Sequence, residues 1–128
     1  MKIAFGNDHA GFDDPKPHYK PYLVENIESL GHEVIDCGSF TPEPIDYPES
    51  AKAVAEAILN GKAERGILLC GTGIGISIAA NRFPGIRAAL CTTPYMARVT
   101  RENNDANILC LGRRVLSLDE CKAIIDIW

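Results

Sequence analysis

Gly66-Ile67-Leu68-Leu69-Cys70-Gly71-Thr72-Gly73-Ile74-Gly75-Ile76-Ser77 is a continuous apolar run that ends in a cysteine and opens onto a glycine-rich turn. An unbroken apolar run of this length, bounded by glycine, predicts a strand buried on both faces, and the residues after the turn predict a helix start. Strands apolar on both sides belong to parallel sheets covered by helices. A thiol delivered to that junction meets backbone amides and the positive end of a helix, a setting that favours thiolate and can hold a developing oxyanion.

The same alternation extends in both directions. Lys2–Phe5, Glu33–Asp36, Ile86–Leu90 and Ile108–Leu111 join Gly66–Leu69 as strand candidates. Between them, Leu23, Ile27 and Leu30 share one helical face before Gly31, and Ala51, Val54, Ala55 and Ile58 share another before Gly61. Pro48 suits a first helical turn, and further helices are expected over Ile76–Asn81, Pro94–Glu102 and Leu118–Ile127. Three prolines in Asp13–Pro21 delay the first helix to about Lys20. The expectation is a single α/β domain over residues 1–128, a three-layer sandwich whose five parallel strands, in the order 2-1-3-4-5, carry helices on both faces. In that order the loops after strands 1 and 3 are neighbours, and Asn7-Asp8-His9-Ala10-Gly11 lies beside the Cys70 turn at the switch point where ligands gather.

The 13 basic and 17 acidic residues give a formal charge of −4, which argues against a general nucleic-acid or membrane-surface binder. The N-terminal apolar run is too short for a signal peptide, and no run approaches the roughly 20 apolar residues of a membrane span. A soluble, cytoplasmic protein with small-molecule partners is expected. Five cysteines without C-x-x-C pairs or histidines at zinc spacing signal neither a disulfide framework nor a metal site.

The glycine turn is not a phosphate-binding P-loop, because Ile76-Ser77 lacks the required lysine. As a dinucleotide fingerprint its third glycine comes one residue early. A nest of amides for an oxyanion or enediolate is the one reading that also uses Cys70, set against glycines that merely permit a tight turn. Cys37, Cys91, Cys110 and Cys121 fall in or beside predicted strands and a helix, as small buried hydrophobes do. Cys70 alone precedes the nest, and its position leaves base and nucleophile equally open. His9, beside Asp8, and Arg113-Arg114, directly after the last strand, stand at the same functional edge.

Taken together, Gly6-Asn7-Asp8-His9-Ala10-Gly11-Phe12, Asp46-Tyr47-Pro48, Leu69–Asn81, Pro84–Ala89, and Asn104–Asn107 through Gly112-Arg113-Arg114-Val115 resemble the family of ribose-5-phosphate isomerase B and the galactose-6-phosphate isomerase subunits. The resemblance implies a Rossmann-like sheet, a homodimer or tetramer with shared active sites, and aldose-ketose isomerisation of a phosphorylated sugar without metal or organic cofactor. It implies Cys70 as the base that moves a proton between C1 and C2. The amides from Gly71 through Gly73 and Ile74 to Gly75 would cradle the enediolate, with Thr72 among the catalytic residues inside that cradle. Asp8 and Tyr47 match positions that bind sugar hydroxyls or assist ring opening, His9 and Arg114 match phosphate-side positions, and Asn104 matches a substrate-binding asparagine.

Three departures accompany the resemblance. Asn103 occupies a catalytic position where the family commonly has a histidine that opens the furanose ring, and a carboxamide cannot act as that acid and base. Either another group such as Asp8 opens the ring, the ring opens unaided, or the substrate is already open-chain, as a four-carbon sugar phosphate is. Beside the leading reading of ribose 5-phosphate to ribulose 5-phosphate stand a tetrose or hexose phosphate isomerase and a weakly active binding or regulatory homologue. The family usually continues past the last helix into a basic tail, whereas this chain ends at Trp128. Asp13–Pro17 reads as an insertion of about five residues near the rim of the site.

Overall fold

The computed structural model describes residues 1–8, 18–38 and 47–128. Five parallel strands, β1 (Lys2–Asn7), β2 (Glu33–Asp36), β3 (Arg65–Cys70), β4 (Ala88–Leu90) and β5 (Ile108–Gly112), form one sheet. The helices are α1 (Tyr19–Ser29), α2 (Tyr47–Leu59), α3 (Ile74–Ala80), α4 (Pro94–Val99) and α5 (Leu118–Ile127), and a π-helical turn, Thr100–Asn104, follows α4.

Strand parity sorts the core into two layers. Phe5, Ile67, Leu69, Leu109 and Leu111 point to one face, where they pack with Leu23 and Ile27 of α1 and Ile124 of α5. Their neighbours Ala4, Leu68, Cys70, Ile108 and Cys110 point to the other, against Val54 of α2 and Ile76 of α3. Each fully buried Leu or Ile contributes about 1.5–3 kcal/mol. Cys70 therefore belongs to the α2–α3 layer, and its parity is set by the strand that carries it.

The strand order is β2-β1-β3-β5-β4, which corrects the expected 2-1-3-4-5. β5 pairs with β3 along Gly66↔Ile108 to Cys70↔Gly112, and β4 pairs only with β5. The reason is burial. All five residues of β5 are buried, as a central strand requires, whereas the three-residue β4 is only half-buried and fits a sheet edge. The adjacency of β1 and β3, on which the expected switch point depends, is present.

Two elements are shorter than their periodicity suggests. Ile86 and Arg87 stay outside β4, where the Arg87 amide donates to the Asn107 side chain at 2.7 Å. Helix α4 stops at Val99, and the π-helical turn ends on Asp105, in the left-handed region at φ 49°. α1 starts at Tyr19 with Pro21 inside its first turn, where a missing amide is tolerated. The Asp13–Pro17 stretch lies outside the described residues.

Candidate active site at the ends of strands β1, β3 and β5

Cys70 closes β3 and is 4% exposed. The chain then turns through Gly71 and Thr72 into Gly73, the residue that caps α3, at φ 84°. Only glycine fits there: a Cβ would lie 2.5 Å from Leu90 Cδ1 and 3.1 Å from the carbonyl carbon of Leu111. This backbone turn points the Gly73 amide back at Cys70 Sγ, 3.0 Å away, and the Ile74 amide donates to Thr72 Oγ1 at 3.2 Å.

The expectation that the setting favours thiolate needs correcting. Burial pushes the Cys70 thiol above its ordinary range, and hydrogen bonds from the Gly73, Ile76 and Thr72 amides pull it back only in part. The nearby Asp8 carboxylate pushes it further up. Desolvation of a sulfur anion outweighs the donors aimed at it. The result is a protonated thiol whose thiolate, once formed, is a strong base with the Gly73 amide 3.0 Å away. The amides of the glycine turn thus serve the sulfur first.

The neighbouring strand ends complete the site. Asp8, 7% exposed, follows β1, and its amide donates to Leu69 O at 3.2 Å. Beyond β5, the Arg113 amide donates to Cys70 O at 2.7 Å and the Arg114 amide to Gly71 O at 2.8 Å. Gly112 permits this closeness, because a Cβ there would sit 2.5 Å from Thr72 O. The Arg114 side chain is exposed and lies along Gly71, its Nη1 3.4 Å from where a Cβ of that residue would be. Asp8, Cys70, Gly71, Thr72, Gly73, Ile74, Gly75 and Arg114 therefore share one edge of the sheet.

The backbone of Tyr47 opens α2 at this edge, where Ser50 Oγ donates to Asn7 O at 2.7 Å. Pro48 and Gly75 face each other across a cleft of about 350 Å³ between α2 and α3. His9 lies outside the described residues.

Asn103 and Asn104 are not brought to Cys70. They lie on the π-helical turn before β5, at the opposite edge of the sheet, bordering a cleft of about 610 Å³ with Asn81 and Arg87. The length of β5 alone separates the two edges by roughly 13 Å. Within one chain, the two asparagines and the thiol belong to different surfaces.

Asn7 is a further polar group at this edge. Its side chain is fully buried at the end of β1, Nδ2 donates to Asp8 O at 3.0 Å, and Oδ1 has no hydrogen-bond partner among the described residues. A buried amide next to Asp8 was foreseeable only from its place at a strand end, which makes it a weak signal in sequence. All five cysteines are free. Among the described residues no cluster of His, Cys, Asp or Glu could hold a metal ion, and no helix is long and apolar enough to cross a membrane.

The family described as Ribose/Galactose Isomerase matches residues 3–128 of this chain. Ribose-5-phosphate isomerase B of Escherichia coli K12 is 49% identical over 99% of this chain and 82% of its own length. D-erythrulose-4-phosphate isomerase of Pectobacterium atrosepticum is 42% identical over 100% of this chain and 82% of its own. Among solved structures, Clostridium thermocellum ribose-5-phosphate isomerase B superposes with a TM-score of 0.93 at 52% identity, covering 100% of this chain and 83% of that one.

Proposed function

This chain belongs to the ribose/galactose isomerase family, as an aldose-ketose isomerase of sugar phosphates, and from that premise we propose that it interconverts ribose 5-phosphate and ribulose 5-phosphate with Cys70 as the base. The observation that carries the reading is the buried Cys70 sulfur, which receives the Gly73 amide at 3.0 Å at the switch point beside Asp8.

The Cys70 thiolate removes the C2 proton of the open-chain aldose, and the electron pair forms the C1–C2 double bond of an enediol. The former carbonyl oxygen takes up the negative charge, held by the backbone donors of the Gly71–Gly75 turn and by the Thr72 hydroxyl. A proton passes between O1 and O2, Cys70 returns its own to C1, and the ketose leaves with the thiolate restored. A sulfur made more basic by burial suits a carbon acid alpha to a carbonyl, and the Gly73 amide stabilises the anion once the thiol has given up its proton. Asp8 accepts from sugar hydroxyls, and Arg114, exposed beside Gly71, pairs with the phosphate.

Asn103 and Asn104 reach a Cys70 site only from a second copy of the chain, and we assign them to the partner's site. The exposed Ile74 and Ile78, 53% and 57% accessible on α3 beside that mouth, are the apolar surface such a copy would cover. A dimer with shared sites is the smallest assembly that meets both observations.

A four-carbon sugar phosphate is the second reading. It is favoured by Asn103, whose carboxamide cannot exchange a proton as ring opening demands, and by the similarity to a D-erythrulose-4-phosphate isomerase. A panel of ribose 5-phosphate, erythrose 4-phosphate and galactose 6-phosphate in D2O, with Cys70→Ala beside the unaltered protein, decides. Deuterium at C2, fastest for ribose 5-phosphate and abolished in Cys70→Ala, is expected. Fastest turnover of the tetrose establishes the second reading, and binding without exchange of any sugar overturns both.

A further inference from the structure

Arg113 is a buried cation that the proposed chemistry leaves unused. Its side chain is 7% exposed, and its guanidinium carbon lies 3.8 Å from the centre of the Tyr19 ring. Tyr19, at the first position of α1, is itself 6% exposed, and its hydroxyl donates to Leu116 O at 2.9 Å. The ring is thus anchored at its far end to the segment that carries Arg113. On the backbone side, the Arg113 amide holds the carbonyl of Cys70 at 2.7 Å, and Gly112 lies directly against Thr72.

A guanidinium flat on a desolvated aromatic face is held by the ring quadrupole and by stacking, in one orientation. Such burial also removes Arg113 from any competition with Arg114 for a phosphate. What remains is a connected path: the start of α1, the Tyr19 ring, Arg113, and the carbonyl of Cys70. We infer that Tyr19 and Arg113 are a positioning pair that fixes the turn carrying the Cys70 thiol. The inference rests on the reading of Cys70 as the base. The pair touches no reacting atom. It acts by holding the sulfur where a C2 proton arrives, and displacement of a base by about 1 Å costs up to a hundredfold in rate.

The test measures kcat and KM for ribose 5-phosphate in Tyr19→Leu, Arg113→Met, their double variant and Arg113→Lys, with thermal melts to establish folding and Cys70→Ala in parallel. Both single variants are expected to lose tenfold or more in kcat with KM within about twofold. The double variant is expected to lose no more than the worse single, because one connection is broken once. Arg113→Lys, which keeps stem and charge, should fall between, and it carries the test if Arg113→Met melts below the assay temperature. A rise in KM at unchanged kcat, losses that multiply in the double variant, or unaltered rates would each overturn the inference. Retained activity in Cys70→Ala removes the reading of the base instead, whatever the pair does.

Discussion

The amide of Gly73 donates to the sulfur of Cys70 at 3.0 Å, so the residue that caps α3 also solvates the thiol. That one hydrogen bond requires a positive φ at Gly73 and the close approach of Leu90 and Leu111.

Gly73→Ala should therefore damage activity and stability together. The left-handed backbone costs alanine about 1–3 kcal/mol before the clash with Leu90 is counted. A fall in urea midpoint with at least a tenfold loss in kcat/KM is expected. Unfolding curves and steady-state kinetics on one preparation check it, and wild-type stability would show that the turn relaxes freely.

Asp8→Asn removes a negative charge that raises the Cys70 thiol. With that charge gone the thiolate is less disfavoured, so the pH dependence of Cys70 alkylation by iodoacetamide should move to lower pH. Peptide mass mapping at residue 70 across a pH series measures the shift. An unmoved or upward-moving profile contradicts the electrostatic coupling. KM for the sugar should rise at the same time, since the acceptor for its hydroxyls is weakened.

The buried thiols make stability fall in alkali. Burial pushes Cys91 up to about 11 and Cys121 up to about 12. In the unfolded chain both ionise near about 8.5. A raised folded-state value means that the unfolded state loses its proton first, so this contribution is intact below that pH and is lost as pH rises towards 11 and 12. The urea midpoint should be flat from neutrality to about pH 8.5 and decline above it. Cys91→Ala should flatten the decline, and an unchanged slope in that variant would assign the effect elsewhere.

Asp105 is the one non-glycine residue with positive φ among those described, and it is held by Arg101 at 3.1 Å and Arg87 at 3.4 Å. The Asp105 carboxylate is 85% accessible, so screening keeps the contribution of each pair small. Asp105→Ala adds about 1–2 kcal/mol of left-handed strain, whereas Asp105→Gly relieves it. Alanine should lower the melting temperature more than glycine does. Both should reduce turnover, because Asn103 and Asn104 precede this residue on the π-helical turn.

Elements were legible in sequence where neighbours along the chain decide them. The apolar run Ile67–Leu69, the glycines after Cys70 and the Leu23/Ile27 spacing each report a local conformational preference, and β3, its turn, α3 and α1 follow. Asp8, Cys70 and Arg114 were foreseeable as one edge because parallel strands with helical crossovers place all such loops together. The exchange of β4 and β5 was not, since it depends on which strand is better buried beside β3. The periodicity of Pro94–Glu102 likewise concealed the π-helical turn, which ends at a left-handed residue that local pattern does not signal.

By itself the sequence determined the parallel α/β architecture, the family, and the junction at which a strand hands a thiol to a glycine turn, because these rest on residue order, periodicity and spacing. Only the tertiary structure decided that burial outweighs the amides at Cys70, that Arg113 is committed to Tyr19 while Arg114 faces outward, and that Asn103 and Asn104 lie at the far edge from the thiol. Desolvation, stacking and edge placement are properties of packed surfaces from distant parts of the chain, and they exist once the sheet has ordered its strands.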